Sequence, residues 1–256
     1  MFVKLLKLPF IVIISTTLLS GCLSLKEKAA IKAKQDKIEQ QRQLEELRKT
    51  FKPPVVIYRI DDHRFFTLEE FNEKREGYTF YNNTQTQTHF KVYNGSACNF
   101  RGRLIWAATQ DDYIAFPATS SNWYGCAGRR DACQSSILMY KQGKSVSFVL
   151  PFGSQTLNPV NEIKRFTLVV TDTHFYIGRS FSSSPQKDPL DNLSWDKYSY
   201  PTPEELKNKT WQLDVREAPP YEIKTPSGQT QFDCSDPSIS PMSKLGDYGR
   251  DYKIKK

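Results

Sequence analysis

The sequence lacks the signatures of the common catalytic architectures. It has no Walker loop, no GxSxG elbow, no HExxH pair, no EF-hand loop and no dinucleotide fingerprint. CxxC and HxxxH spacings are missing too, and the three histidines are scattered along 256 residues. A zinc site needs closely spaced Cys and His ligands, so neither a metal nor another cofactor is expected. No internal repeat stands out. Long apolar runs are also scarce. The one near the N terminus, Leu8 to Leu19, is too short and too quickly followed by charge to span a membrane well.

Met1 to Cys22 reads instead as an export signal. Lys4 and Lys7 supply a positive n-region, and Leu8 to Leu19 forms the apolar core. The segment ends in Leu19-Ser20-Gly21-Cys22, the pattern of a lipobox. Small residues let an extended backbone enter a peptidase cleft, and the Cys22 thiol is the group there nucleophilic enough to be alkylated. Lipidation at Cys22 is therefore expected, with the mature chain starting there. Several acyl chains on one residue make a stable anchor, because each buried CH₂ contributes about 0.8 kcal/mol. Leu23 follows the cysteine where Asp is absent, which is similar to enterobacterial lipoproteins sorted to the outer membrane. The expected location is the periplasmic face of the envelope.

Cysteine usage agrees with that compartment. Apart from Cys22, the five cysteines leave Cys98, Cys126, Cys133 and Cys234. In an oxidising space they suggest disulfides, with three possible connectivities. Cys126 and Cys133 bracket a turn-like stretch containing Gly128 and Asp131, so the preferred pairing is Cys126–Cys133 with Cys98–Cys234. The formal charge of +8 falls to +6 when Lys4 and Lys7 leave with the signal. That charge suits an anionic surface or an acidic partner. Nucleic acid is not an expected partner of an exported chain.

Lys26 to Thr50 holds no Gly or Pro and is dense in strong helix formers. Lys32–Asp36, Arg42–Glu46 and Glu45–Lys49 are opposite charges at i,i+4 spacing. Its apolar positions, Ile31, Ile38, Leu44 and Leu47, form too thin a stripe for a globular core. The expectation is a charged helical tether, roughly 37 Å long at ~1.5 Å per residue; a coiled coil with a partner helix is the alternative.

Pro53-Pro54 stops the helix, and a β-rich stretch follows. Strands are expected at Val55–Ile60, Phe65–Phe71, Tyr78–Tyr81, His89–Tyr93, Arg103–Ala108 and Tyr113–Phe116. Four more are expected at Ile137–Tyr140, Ser145–Leu150, Arg165–Thr171 and Phe175–Phe181. Turn residues such as Asn82-Asn83, Asn94-Gly95, Gln142-Gly143 and Asp172-Thr173 separate them. The fold class is mainly β: an antiparallel β-sandwich or a small propeller-like domain, preceded by the helical tether. Thr202, Pro203 and Glu204-Glu205 suit a late helix start. The expected divisions are a signal peptide at 1–21, an anchor and tether at 22–52, a β-rich domain at 53–234 and a loose tail at 235–256.

Two stretches are candidates for contact or chemistry. Asp61-Asp62-His63-Arg64 is either an acid–base cluster or a charged turn in which Asp61 or Asp62 bonds backbone N–H groups. Adjacent Glu69-Glu70 and Glu204-Glu205 point apart and form no dyad. The segment from Pro117 to Ser135 places Trp123, Tyr124, Arg129 and Arg130 on a loop, residue types that anchor protein interfaces. The same Trp123 has an equal claim to fold back onto the core.

The lipobox leader, Val56-Ile57-Tyr58-Arg59-Ile60-Asp61-Asp62-His63-Arg64-Phe65-Phe66 and the later His174-Phe175-Tyr176-Ile177-Gly178-Arg179-Ser180 together carry a resemblance. The chain resembles the periplasmic immunity lipoproteins of the Tli type, which protect enterobacteria from type VI secretion lipase effectors. The resemblance implies a non-enzymatic role without a small-molecule substrate: binding and neutralising a cognate phospholipase toxin. It makes Asp61, Asp62, Arg64 and the Trp123–Arg130 loop candidate toxin contacts. The rival expectation is a structural or assembly lipoprotein of the envelope or the secretion apparatus.

Overall fold

A computed structural model describes residues 25–119, 134–154, 159–182, 189–202, 204–205 and 215–239, with the side chains of 25–27 and 145–149 left aside. The chain divides into two units between Lys49 and Thr50. The first contains α1, Leu25–Arg48. Its described side chains are largely exposed, with Ile38 at 56%. The charges pair at i,i+3, as Glu39–Arg42 at 2.8 Å and Glu46–Lys49 at 2.7 Å. Arg42 thus turns back to Glu39 rather than forward to Glu46. No described helix is long and apolar enough to cross a membrane.

The second unit is mainly β. β1 (Val55–Arg59), β2 (Arg64–Glu69), β3 (Tyr78–Asn83) and β4 (Thr88–Tyr93) form an antiparallel meander. β6 (Tyr113–Ala118), β7 (Ser135–Lys141) and β8 (Lys144–Phe152) form a second. The third sheet runs β11 (Ser194–Ser199), β10 (His174–Arg179), β9 (Phe166–Val170) and β5 (Arg103–Trp106). β5 and β9 are parallel, the second meander forming part of their connection. Residues of all three sheets contribute to one core, and the unit is mainly β as expected, with two antiparallel sheets and one mixed. A short helix, α2 (Pro159–Glu162), precedes β9.

Local sequence explains several boundaries. Gln142 and Gly143 both have positive φ, 49° and 73°, as a two-residue hairpin turn requires. Asn82-Asn83 is not a turn, because β3 runs through both. Asn83 Oδ1 instead accepts the backbone N–H groups of Gln85 and Thr86 and starts the turn one step later. All five residues of β9 are buried, which accounts for the near-continuous apolar run Phe166–Val170. One face of the third sheet enters the main core. The other holds a separate cluster of Ile105, Val169, Tyr176, Leu193 and Trp195.

Phe66 is central to the main core. Its ring lies 5.2 Å from Phe116 of the second sheet, 5.3 Å from Trp106 of the third and 6.2 Å from Phe232 near the C terminus. One buried side chain thus ties elements far apart in sequence. Aromatic pairs at such separations contribute about 0.5–1.5 kcal/mol each beyond the area they bury.

Thr225–Cys234 forms a strap between the open edges of β1 and β5. The Asp233 N–H donates to the Ile57 carbonyl at 2.7 Å, Ser227 N–H to Ile60 at 3.0 Å, and Leu104 N–H to Thr230 at 2.8 Å. The Gln229 side-chain oxygen accepts the Arg59 N–H at 2.7 Å. The strap is pinned by a disulfide between Cys98 and Cys234, 136 residues apart. That is one bridge of the preferred pairing; Cys126 and Cys133 lie outside the described residues. Packing continues past the bridge. Asp236 closes a turn with Ser238, and Ile239 packs on the core, so the expected loose tail does not begin at Ser235.

Candidate functional site

The β1–β2 turn is built by Asp61. Its Oδ1 accepts the N–H groups of His63 at 2.9 Å and Arg64 at 2.8 Å, and its Oδ2 accepts Arg64 Nε at 2.7 Å. Burial pushes the Asp61 carboxyl up, but those donors and the guanidinium outweigh it and hold the group below its usual value. This is the charged-turn alternative of the sequence. Arg64 is 7% exposed, and its Nη1 reaches Asp111 at 3.3 Å. Asp62 and His63 stand exposed beside it.

The turn forms one wall of a cleft of about 500 Å³. The β3–β4 connection, the loop between β5 and β6 and the β7–β8 turn supply the rest. Asp111 lies at the centre of its polar network. Tyr81 donates its phenol to Asp111 Oδ1 at 2.6 Å, and Asn83 Nδ2 donates to Oδ2 at 2.5 Å. Burial first, and then the Asp111 carboxylate, push the Tyr81 phenol far up, so it remains a donor. Three donors, from Arg64, Tyr81 and Asn83, thus converge on the Asp111 carboxylate, their shared acceptor. Gln85, Thr86, Gln110 and Gln142 also line the cleft, with neutral hydrogen-bonding groups.

The structure therefore brings Asp61 and Arg64 into one ion-paired network and adds Asp111, Tyr81 and Asn83. Of the sequence candidates, Trp123, Tyr124, Arg129, Arg130, Cys126, Cys133 and Cys22 lie outside the described residues. Asp111 carries no sequence signal that singles it out, because its partner Arg64 is 47 residues away. The Thr202 start is a reciprocal cap: Glu205 accepts from the Thr202 hydroxyl at 2.8 Å, and Glu205 N–H donates back at 3.2 Å.

A second surface escaped sequence reading. The outward face of the first sheet alternates aromatics with cations. Arg59 lies over Phe65 at 5.3 Å, Lys91 over Tyr78 at 4.2 Å, and Phe80 stacks on His89 at 4.8 Å. Period-2 alternation along Tyr78–Asn83 was the available signal. His89 is stacked on Phe80 on one side and exposed on the other.

The family described as T6SS Tli3 immunity protein matches residues 50–179, half of the chain. The match spans β1 through β10 and includes both the cleft and the first sheet, while β11 and the strap lie beyond it. No curated protein matches the chain. The chain belongs to the Tli3 family, the immunity proteins that act against type VI secretion effectors.

Proposed function

We propose that this immunity protein neutralises a phospholipase effector by binding it outside the cytoplasm, from a lipid anchor on Cys22. The family match across β1–β10 carries the reading. It supplies the immunity role, and the Tli-type resemblance supplies the lipase as target. The leader ending at Cys22 supports export and anchoring. The Cys98–Cys234 disulfide suits an oxidising compartment. Leu23 after the lipidated cysteine favours the outer membrane.

Binding rather than turnover is the mode proposed. The Asp61 and Asp111 carboxylates are engaged by Arg64, Tyr81, Asn83 and backbone N–H groups, an arrangement that holds shape. Anchoring would raise the local concentration of the inhibitor at the bilayer that the toxin attacks.

The test mixes the purified mature chain with the lipase encoded beside it. A stable complex and loss of fatty-acid release from phospholipid vesicles are expected. Absence of a complex at micromolar concentration overturns the reading. For the anchor, labelled palmitate should enter the wild-type chain and not Cys22→Ser; equal labelling of both removes the lipidation claim.

A further inference from the structure

The outward face of the first sheet has the chemistry of a protein-docking surface. A β-bulge at Ile57 turns Val56 and Arg59 to the same side, although their spacing in a regular strand would oppose them. The register then aligns Arg59 with Phe65, Asn82 and His89 in one row, and Thr67 with Phe80 and Lys91 in the next. Val56 is 40% exposed and the His89 side chain 51% exposed, so the face is open to solvent. Aromatics beside arginine are the residue types that dominate binding energy at protein interfaces.

This face is already ordered. Asn82 Nδ2 donates to Thr67 Oγ1 at 2.9 Å, and Thr67 donates to Glu69 at 2.6 Å. His89 Nδ1 sits 2.8 Å from Asn82 Oδ1. Cations clasp the rings: Arg75 lies over Tyr78 at 4.5 Å, on the ring that also faces Lys91. Side chains fixed in this way lose little entropy on binding.

Charge indicates what fits. Among the outward positions of β1–β4, Arg59 and Lys91 are the basic side chains; Glu69 is the acid, already engaged by Thr67 and 3.7 Å from His89. An acidic surface is the complementary partner, and complementarity of this kind sets both approach rate and specificity. A bilayer is the weaker fit, because these rings lie clasped in the sheet rather than projecting from it.

We propose that the ladder of Arg59, Phe65, Tyr78, Phe80, His89 and Lys91 grips an acidic patch on the effector, an inference that rests on the effector-binding role above. The test titrates the mature chain, in detergent, against the purified effector encoded beside it. Arg59→Glu with Lys91→Glu is compared with Lys164→Glu and Arg165→Glu, which make the same change in net charge at exposed positions elsewhere. The face variant should raise Kd by about tenfold or more at low ionic strength, with the gap closing in high salt, while the matched pair binds like wild type. Thermal unfolding of all three confirms that they fold, and Lys91→Arg should retain affinity.

Three results overturn the proposal. Unchanged affinity in the face variant removes the surface. Equal loss in both pairs makes the effect one of net charge. Lost binding to phosphatidylglycerol vesicles with effector binding retained assigns the face to lipid. If wild type itself fails to bind the effector, the functional reading falls first.

Discussion

The hydroxyl of Tyr58 lies 2.9 Å from the hydroxyl of Thr225, a contact between the first strand and the chain's last described segment. The same phenol oxygen is 2.8 Å from the Leu104 carbonyl and 3.0 Å from that of Gln229. Thr225 in turn accepts the Trp106 N–H at 2.9 Å. Tyr58 thus joins β1, β5 and the strap at one buried atom, and burial pushes its phenol well up.

Tyr58→Phe keeps the ring and removes that atom. Buried groups left without a partner cost about 1–3 kcal/mol, so the urea midpoint should fall by that equivalent. Because the ring still packs on Phe66 and Phe232, the variant should fold and bind its effector as before. An unchanged midpoint would show that the hydroxyl contributes nothing net.

Breaking the Cys98–Cys234 bridge should cost more. Loop-closure entropy for a separation of 136 residues gives about 5 kcal/mol, and measured losses for native bridges run about 2–5. Cys98→Ala with Cys234→Ala should therefore unfold at much lower urea than wild type. Reductant should lower wild-type stability by more than it lowers that of the double variant, which lacks this bridge already.

Asp61 sets an acid limit. Its folded carboxyl titrates below the usual 3.8, so its contribution is complete above that value and is lost as pH falls through the folded pKa. Asp61→Asn should be less stable than wild type at neutral pH, and the gap should close below about pH 4. A gap independent of pH would mean that the carboxylate charge does not matter.

Gly178 faces Trp195 across β10 and β11. A Cβ there would meet the indole at 2.6–2.8 Å, and the ring is held by its N–H donating to the Leu190 carbonyl at 2.8 Å. Gly178→Ala should destabilise by about 1–3 kcal/mol, the usual cost of overpacking, with a change in tryptophan fluorescence. A fully stable variant would show that β11 gives way easily.

The sequence carried the strands well because most of them announce themselves locally. Val55–Arg59 and Phe166–Val170 are apolar runs bounded by turns, and Gln142-Gly143 is a hairpin signal on its own. Ser194–Ser199 was missed because Ser, Asp and Lys dilute its two aromatics to a loop-like pattern. The Asp61 turn was legible, since an Asx turn is settled within three residues. Asp111 and the strap were not. Arg64 and Asp111 meet only after two sheets assemble, and Thr225–Cys234 reads as Pro, Gly, Ser and Gln without periodicity. Its place is set by backbone and amide groups of strands about 170 residues earlier, such as Gln229 on Ile57 and Arg59.

The strap also imposes an order in time. Chains are made from the N terminus, so β1 emerges long before the segment that caps its free edge. Until Ser227, Gln229 and Asp233 arrive, the donors and acceptors of Arg59, Ile57 and Ile60 are an uncapped template for stray strand pairing. A chain truncated before Thr225 would keep all eleven described strands and lose the seal, and a nascent one passes through that same vulnerable state.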